Sequence, residues 1–216
     1  MHPVTTIMFD LDGTLTDPKE GISRCIQHAL IQLDAPPAPS RALEAAIGPP
    51  LRQTFALLLN TDRADLIEQA MVCYRERFVE VGMYENAVYL GIVAMLETLS
   101  PTYRLLLATS KPRVYAAAIV THFGLAQYLD GIYGSELDGH LDQKTDLLRH
   151  IIEIEQLRPV EATMVGDRHH DMVGAKNNGC QAIGVTYGYG SEAELLNAGA
   201  DHICQTPQDI SEFFAA

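Results

Sequence analysis

Beyond residue 85 the chain alternates short apolar runs with helix-like periodicity, and this alternation restricts the fold more than any other feature. Residues 103–108, 131–134, 162–165, 182–185 and 202–204 read as buried strands. Helical patterns fall between them: Val88, Ile92, Leu96 and Leu99 mark one, a second starts after Pro112, and a third covers residues 147–155. Ser191-Glu192-Ala193-Glu194 has the form of a capping box that opens another. Residues 4–9 add one more apolar strand near the start. Strands that alternate with helices imply an α/β fold, a doubly wound parallel sheet.

Between residues 18 and 84 no strand candidate occurs. Asp17-Pro18 supplies an N-cap and a first-position proline, and Ile22, Ile26, Leu30 and Leu33 follow at helical spacing. Residues 34–40 hold three prolines and form a loop. Ile67, Ala70, Met71, Tyr74, Phe78 and Val81 then share one helical face. The expected organisation is therefore a sheet domain of residues 1–16 and 85–216, interrupted by a small all-helical domain of residues 17–84.

Composition narrows the function classes. Twenty-eight acidic against 15 basic residues leave a formal net charge of −13. Such a chain lacks the clustered cations that nucleic acid or an anionic membrane requires. No apolar run reaches the length of a membrane span. The opening Met1-His2-Pro3-Val4 lacks the basic and apolar regions of a signal peptide. The four cysteines are far apart, with no C-x-x-C pair, so neither a disulfide framework nor a zinc knuckle is expected. The expected compartment is the cytoplasm.

Ligands of open parallel sheets bind beyond the carboxyl ends of the strands. The first strand ends in Asp10-Leu11-Asp12-Gly13-Thr14-Leu15-Thr16-Asp17, the strand from Tyr103 in Thr109-Ser110-Lys111, and the strand from Ala162 in Gly166-Asp167-Arg168-His169-His170-Asp171. Carboxylates converging on one rim repel one another unless a cation sits among them, and an oxygen-only set suits Mg²⁺. Two aspartates two residues apart on a turn suit phosphoryl transfer: one attacks phosphorus, the other moves a proton. Gly13 keeps that turn tight, and nearby N–H groups, Thr14 included, can hold phosphate oxygens. Lys144, at the start of a helical stretch, is the candidate cation for the transferring group.

With these residues in place, the chain resembles the haloacid dehalogenase superfamily of aspartate-nucleophile phosphohydrolases. Asp10-x-Asp12-Gly13-Thr14-Leu15-Thr16-Asp17 looks like its first motif, Leu107 to Pro112 like its second, Lys144 like its third, and Gly166-Asp167-x-x-x-Asp171 like its fourth. The helical insertion resembles the C1 cap. Ile47-Gly48-Pro49-Pro50-Leu51 and Tyr187-Gly188-Tyr189-Gly190 are similar to segments of phosphoglycolate phosphatase-like members. The resemblance implies Asp10 as nucleophile, Asp12 as general acid and base and as a metal ligand through its backbone carbonyl, and Thr109, Ser110 and Lys144 on the phosphoryl group. Asp167 would bind Mg²⁺ together with Asp10, with Asp171 in support. Gly48, Pro49 and Arg52 are candidate substrate contacts in the insertion, although Gly48-Pro49-Pro50 also suits a plain loop and Arg52 a surface ion pair. His169 and His170 are expected to face solvent.

The implied activity is Mg²⁺-dependent hydrolysis of a small phosphorylated metabolite through an aspartyl-phosphate. 2-Phosphoglycolate leads among substrates, and nucleoside 5′-monophosphates, hence a 5′-nucleotidase, come next. A β-phosphoglucomutase-like phosphomutase and a non-catalytic binding module are the rival classes. A dehalogenase is disfavoured because its chemistry does not need the second acid at Asp12. Either a monomer or a homodimer fits.

Overall fold

The computed structural model describes residues 4–215. Residues 1–3, which bear on export, lie outside them. The chain divides into two compact units, Met1–Thr16 with Val88–Ala216 and Asp17–Ala87.

The first unit is built on six parallel strands: β1 (Thr6–Phe9), β4 (Arg104–Pro112), β5 (Gly131–Ser135), β6 (Ala162–Gly166), β7 (Gln181–Val185) and β8 (His202–Cys204). Their spatial order is β5-β4-β1-β6-β7-β8. The first strand is thus central, flanked by β4 and β6 in parallel register. All four of its residues are buried, which is why it reads as an unbroken apolar run. Helices α5 (Ile92–Leu99), α6 (Arg113–His122), α7 (Lys144–Ile154), α8 (His169–Asn177), α9 (Glu192–Asn197) and α10 (Pro207–Ala215) link or flank the strands. Leu147, Leu148 and Ile151 of α7 and Met172 and Ala175 of α8 pack with Met8, Leu106, Met164 and Ala182 of the sheet. That apolar layer anchors α7 and α8, the two helices whose first turns carry site residues. The order of strands reverses around β1, so β1 and its neighbours end at a topological switch point.

Three local readings shift. Val88 belongs to a two-stranded pairing of β2 (Thr16–Asp17) with β3 (Ala87–Val88), not to α5. Pro18, rather than Asp17, holds the cap position of α1 (Lys19–Gln32), while Asp17 Oδ1 accepts the Lys19 N–H at 3.0 Å. The strand β4 runs on to Pro112, through a break in register between Thr109 and Pro112.

The second unit holds α1, α2 (Ser40–Ala45), α3 (Leu51–Leu58) and α4 (Ala64–Arg77). Ile67, Ala70, Met71 and Tyr74 are buried on one face of α4, and Phe78 follows them. Val81 does not, at 45% exposure. Phe78–Gly82 is a π-helical turn, in which the Met83 N–H reaches Phe78 O at 2.9 Å. The extra residue rotates the face and buries Gly82 in place of Val81. Gly82 then meets α1 closely: a Cβ on Gly21 would lie 2.0 Å from Gly82 O, and one on Gly82 2.3 Å from Cys25 Sγ.

Among the described residues no helix is long and apolar enough to cross a membrane. None of the four cysteines, all among the described residues, forms a disulfide.

Candidate active site

The turn after β1 is closed by one carbonyl. Leu11 O accepts the N–H groups of Thr14, Leu15 and Thr16 at 3.2, 2.9 and 3.0 Å. Gly13 takes φ +88° there, and a Cβ on it would lie 2.2 Å from Asp167 Oδ2, so only glycine lets the turn meet the end of β6. The result brings Asp10, Asp12 and Asp167 together, all three buried.

Lys144 enters from the first turn of α7. Its Nζ lies 2.8 Å from Asp10 Oδ1, 2.8 Å from Asp171 Oδ1 and 2.7 Å from Ala108 O. The contacts to Asp10 and to the Ala108 carbonyl are hydrogen bonds, and that to Asp171 is a close ion pair. Burial lowers its pKa, but Asp10 and Asp171 outweigh this and the net direction is upward, so Lys144 stays charged.

Asp12 faces a different cation. Its Oδ2 pairs with Lys111 Nζ at 2.7 Å, and both side chains are almost fully buried. Thr109 pairs with Gly134 and Pro112 with Ser135, so Ser110 and Lys111 are extra residues on β4. That bulge sets Lys111 at Asp12. Burial raises the pKa of Asp12, and Lys111 only partly opposes it.

Asp10, Asp167 and Asp171 each offer an oxygen, and these atoms lie within 4.8 Å of one another. Burial pushes Asp167 well above the usual carboxylate range, with Asp171 and Asp10 adding to the effect. Asp171 is raised to about 6, again mainly by burial. Against three carboxylates Lys144 supplies one charge, which leaves two formal negative charges in a buried, oxygen-only group. A divalent hard cation fits that donor set.

Most residues singled out in the sequence gather here. Thr14 is fully buried, with its hydroxyl 3.5 Å from Asp167 Oδ1 and its carbonyl accepting from Tyr187 Oη at 3.0 Å. Thr109 is buried and its Oγ1 accepts the Lys111 N–H at 3.3 Å. The Ser110 carbonyl accepts from Ser135 Oγ at 2.8 Å. The carboxylate of Asp12 is not one of the three-oxygen group. Gly48, Pro49 and Arg52 belong to the helical unit, where Arg52 pairs with Glu68. The histidines are not simply solvent-facing: both are half-buried, and His169 Nδ1 lies 3.0 Å from Glu194 Oε1.

Two contributors escaped the sequence reading. Lys111 lies within the second motif, which assigns it no role. Residues 187–190 resemble a family segment but carry no assigned role in the sequence, yet the Tyr189 N–H donates to Asp167 Oδ2 at 2.8 Å. A Cβ on Gly190 would lie 1.9 Å from Asp167 O, so the loop lies directly on the end of β6. The available signal is position: both segments lie at or just after the carboxyl ends of strands of the same sheet, as the acidic motifs do.

The comparisons agree with this geometry. The family described as haloacid dehalogenase-like hydrolase matches residues 7–185. A 5′-nucleotidase of Pseudomonas aeruginosa is 47% identical over 199 residues, covering 92% of this chain and 90% of that one. The tyrosine-protein kinase PtkA of Mycobacterium tuberculosis is 37% identical over 187 residues, 85% of this chain and 62% of its own length. The crystal structure of a predicted phosphatase from Clostridium acetobutylicum superimposes with a TM-score of 0.94 at 40% identity, covering 99% of each chain.

The chain belongs to the haloacid dehalogenase-like hydrolase family. Within that family it is a phosphatase, a phosphoric monoester hydrolase.

Proposed function

We propose that the chain hydrolyses a nucleoside 5′-monophosphate or a similarly small phosphomonoester, through an aspartyl-phosphate on Asp10. The observation that carries this reading is the unequal setting of two neighbouring carboxylates. Asp10 is held by a charged Lys144, whereas burial raises the pKa of Asp12. One is paired with a cation and placed to attack, and the other has access to its acid form.

In this reading Asp10 attacks phosphorus as the ester P–O bond breaks, and Asp12 hands its proton to the leaving oxygen. Asp12 then takes a proton from water, which attacks phosphorus, breaks the bond to Asp10 and releases orthophosphate. Lys144, Thr109 and Ser110 steady the phosphoryl oxygens, with the Gly13–Thr14 turn beside them. Asp10, Asp167, Asp171 and the Asp12 carbonyl would hold Mg²⁺, which supplies positive charge for the phosphoryl oxygens when bound. We read Asp17–Ala87 as the cap unit, with Gly48, Pro49 and Arg52 as its candidate substrate contacts. Four cysteines that form no disulfide suit a reducing compartment such as the cytoplasm.

The 47% identity to a protein named 5′-nucleotidase supports nucleoside monophosphates as first choice. Similarity of the 47–51 segment to phosphoglycolate phosphatase-like members keeps 2-phosphoglycolate second. The test is Mg²⁺-dependent phosphate release from nucleoside monophosphates, 2-phosphoglycolate and sugar phosphates, with Asp10→Asn as control. Release from nucleoside monophosphates that is lost in the control supports the reading. Activity on 2-phosphoglycolate alone overturns the substrate choice. Transfer from ATP to tyrosine without phosphate release, the activity that the name of PtkA describes, overturns hydrolysis itself.

A further inference from the structure

The sequence reading assigns Glu194 to a capping box, yet only half of that box forms. Ser191 Oγ accepts the Glu194 N–H at 3.1 Å. The carboxylate of Glu194 is engaged across the loop instead. Its Oε1 accepts from Arg168 Nε and from the His169 N–H and lies beside His169 Nδ1, at 3.0 Å in each case. The contacted residues lie between Asp167 and Asp171. The Arg168 N–H donates to Asp171 Oδ2 at 3.1 Å, while Oδ1 of the same carboxylate is taken by Lys144. Five residues before Glu194, the Tyr189 N–H holds Asp167 Oδ2. One segment after β7 therefore grips the 167–171 loop twice.

We infer that Glu194 is a positioning residue, which fixes the Arg168–His169 turn so that Asp167 and Asp171 present their oxygens to one cation. The inference rests on the Mg²⁺ reading above. An ordinary surface ion pair is the plain alternative, and exposure argues against it. The side chains of Arg168 and Glu194 are 15% and 27% exposed, whereas Lys176 and Asp201, which also tie α8 to the chain beyond β7, are 43% and 37% exposed. Burial raises the pKa of Glu194, but the His169 N–H and Arg168 outweigh it and bring it down to about 2.

The test is calorimetric Mg²⁺ titration of the substrate-free protein. Loss of a group that orients a metal ligand typically weakens metal binding about 10- to 100-fold. Glu194→Ala is expected to fall in that range. Glu194→Gln keeps an oxygen for the His169 N–H and is expected to lose less, about threefold or more, on the same argument. Lys176→Ala, which loosens α8 without touching the loop, is expected to stay within about twofold of wild type, the ordinary scale of a surface ion pair. At saturating Mg²⁺ the substrate KM of Glu194→Gln should be close to that of wild type. Unchanged affinity in Glu194→Ala, or equal loss in Lys176→Ala, overturns the inference. Where circular dichroism shows Glu194→Ala unfolded, Glu194→Gln decides, and wild-type affinity in it is fatal to the idea. Asp167→Asn separates the two levels. If it binds Mg²⁺ as well as wild type, or if wild type binds none, the metal reading itself fails.

Discussion

Lys144 Nζ sits 2.8 Å from Asp10 Oδ1, although 134 residues separate the two in the chain. The first turn of α7 delivers an ammonium group to the end of β1, and the same group holds Asp171. This contact ties the nucleophile candidate to the last acidic motif.

Removing Lys144 should therefore cost stability as well as turnover. Lys144→Met leaves buried carboxylates without their partner, which typically destabilises by about 3–5 kcal/mol. Urea unfolding in the presence of a chelator measures it. A loss below about 1 kcal/mol, the scale of an exposed pair, would contradict the burial described here.

Lys111 opposes the effect of burial on Asp12. Lys111→Met should push the Asp12 pKa further up. Because Asp12 acts in its acid form, the alkaline limb of kcat that it governs should move to higher pH. The pH profile of kcat on the preferred substrate reads this directly, and an unmoved alkaline limb would remove Lys111 from the acid–base chemistry.

His170 gives a pH signature of folding. Burial, with help from the charges of His169, Arg168 and Lys144, lowers its pKa from 6.5 to about 4. Between those values the unfolded chain binds a proton that the folded chain refuses. Its contribution to stability is thus present above pH 6.5 and is lost as pH falls towards about 4. His170→Gln should flatten that part of the stability curve, measured from urea midpoints at several pH values. Equal slopes in variant and wild type would refute the assignment.

Gly21 tests the helical unit. Glycine to alanine inside a helix ordinarily stabilises, by about 0.5–1 kcal/mol. Here the new Cβ would meet Gly82 O at 2.0 Å, a backbone atom with no side-chain freedom. Gly21→Ala should instead destabilise by about 1–3 kcal/mol, as overpacking does. A raised melting temperature would show that α1 and the π-helical turn lie further apart.

Much of this was legible in the sequence because it rests on local chemistry. The strands of the sheet announce themselves, since burial on both faces demands unbroken apolar runs. The acidic motifs follow because a parallel sheet puts its strand ends on one rim. Other features depend on register. Val81 keeps helical spacing with Phe78, yet one π-helical turn moves it to solvent. Ser191 to Glu194 has the pattern of a capping box, but a nearby Arg168 and His169 N–H draw the carboxylate away.

By itself the sequence determined the parallel α/β architecture, the helical insertion and the identity of the acidic set. Periodicity and the order of the strands carry that information along the chain. Only the tertiary structure decided which cation serves which carboxylate. Lys144 and Lys111 are both lysines near strand ends or helix starts, and nothing local distinguishes them. The packing of α7 on the sheet sends one to Asp10, and the bulge in β4 sends the other to Asp12. Distances between residues about a hundred or more positions apart are set by how layers pack, and no local pattern encodes them.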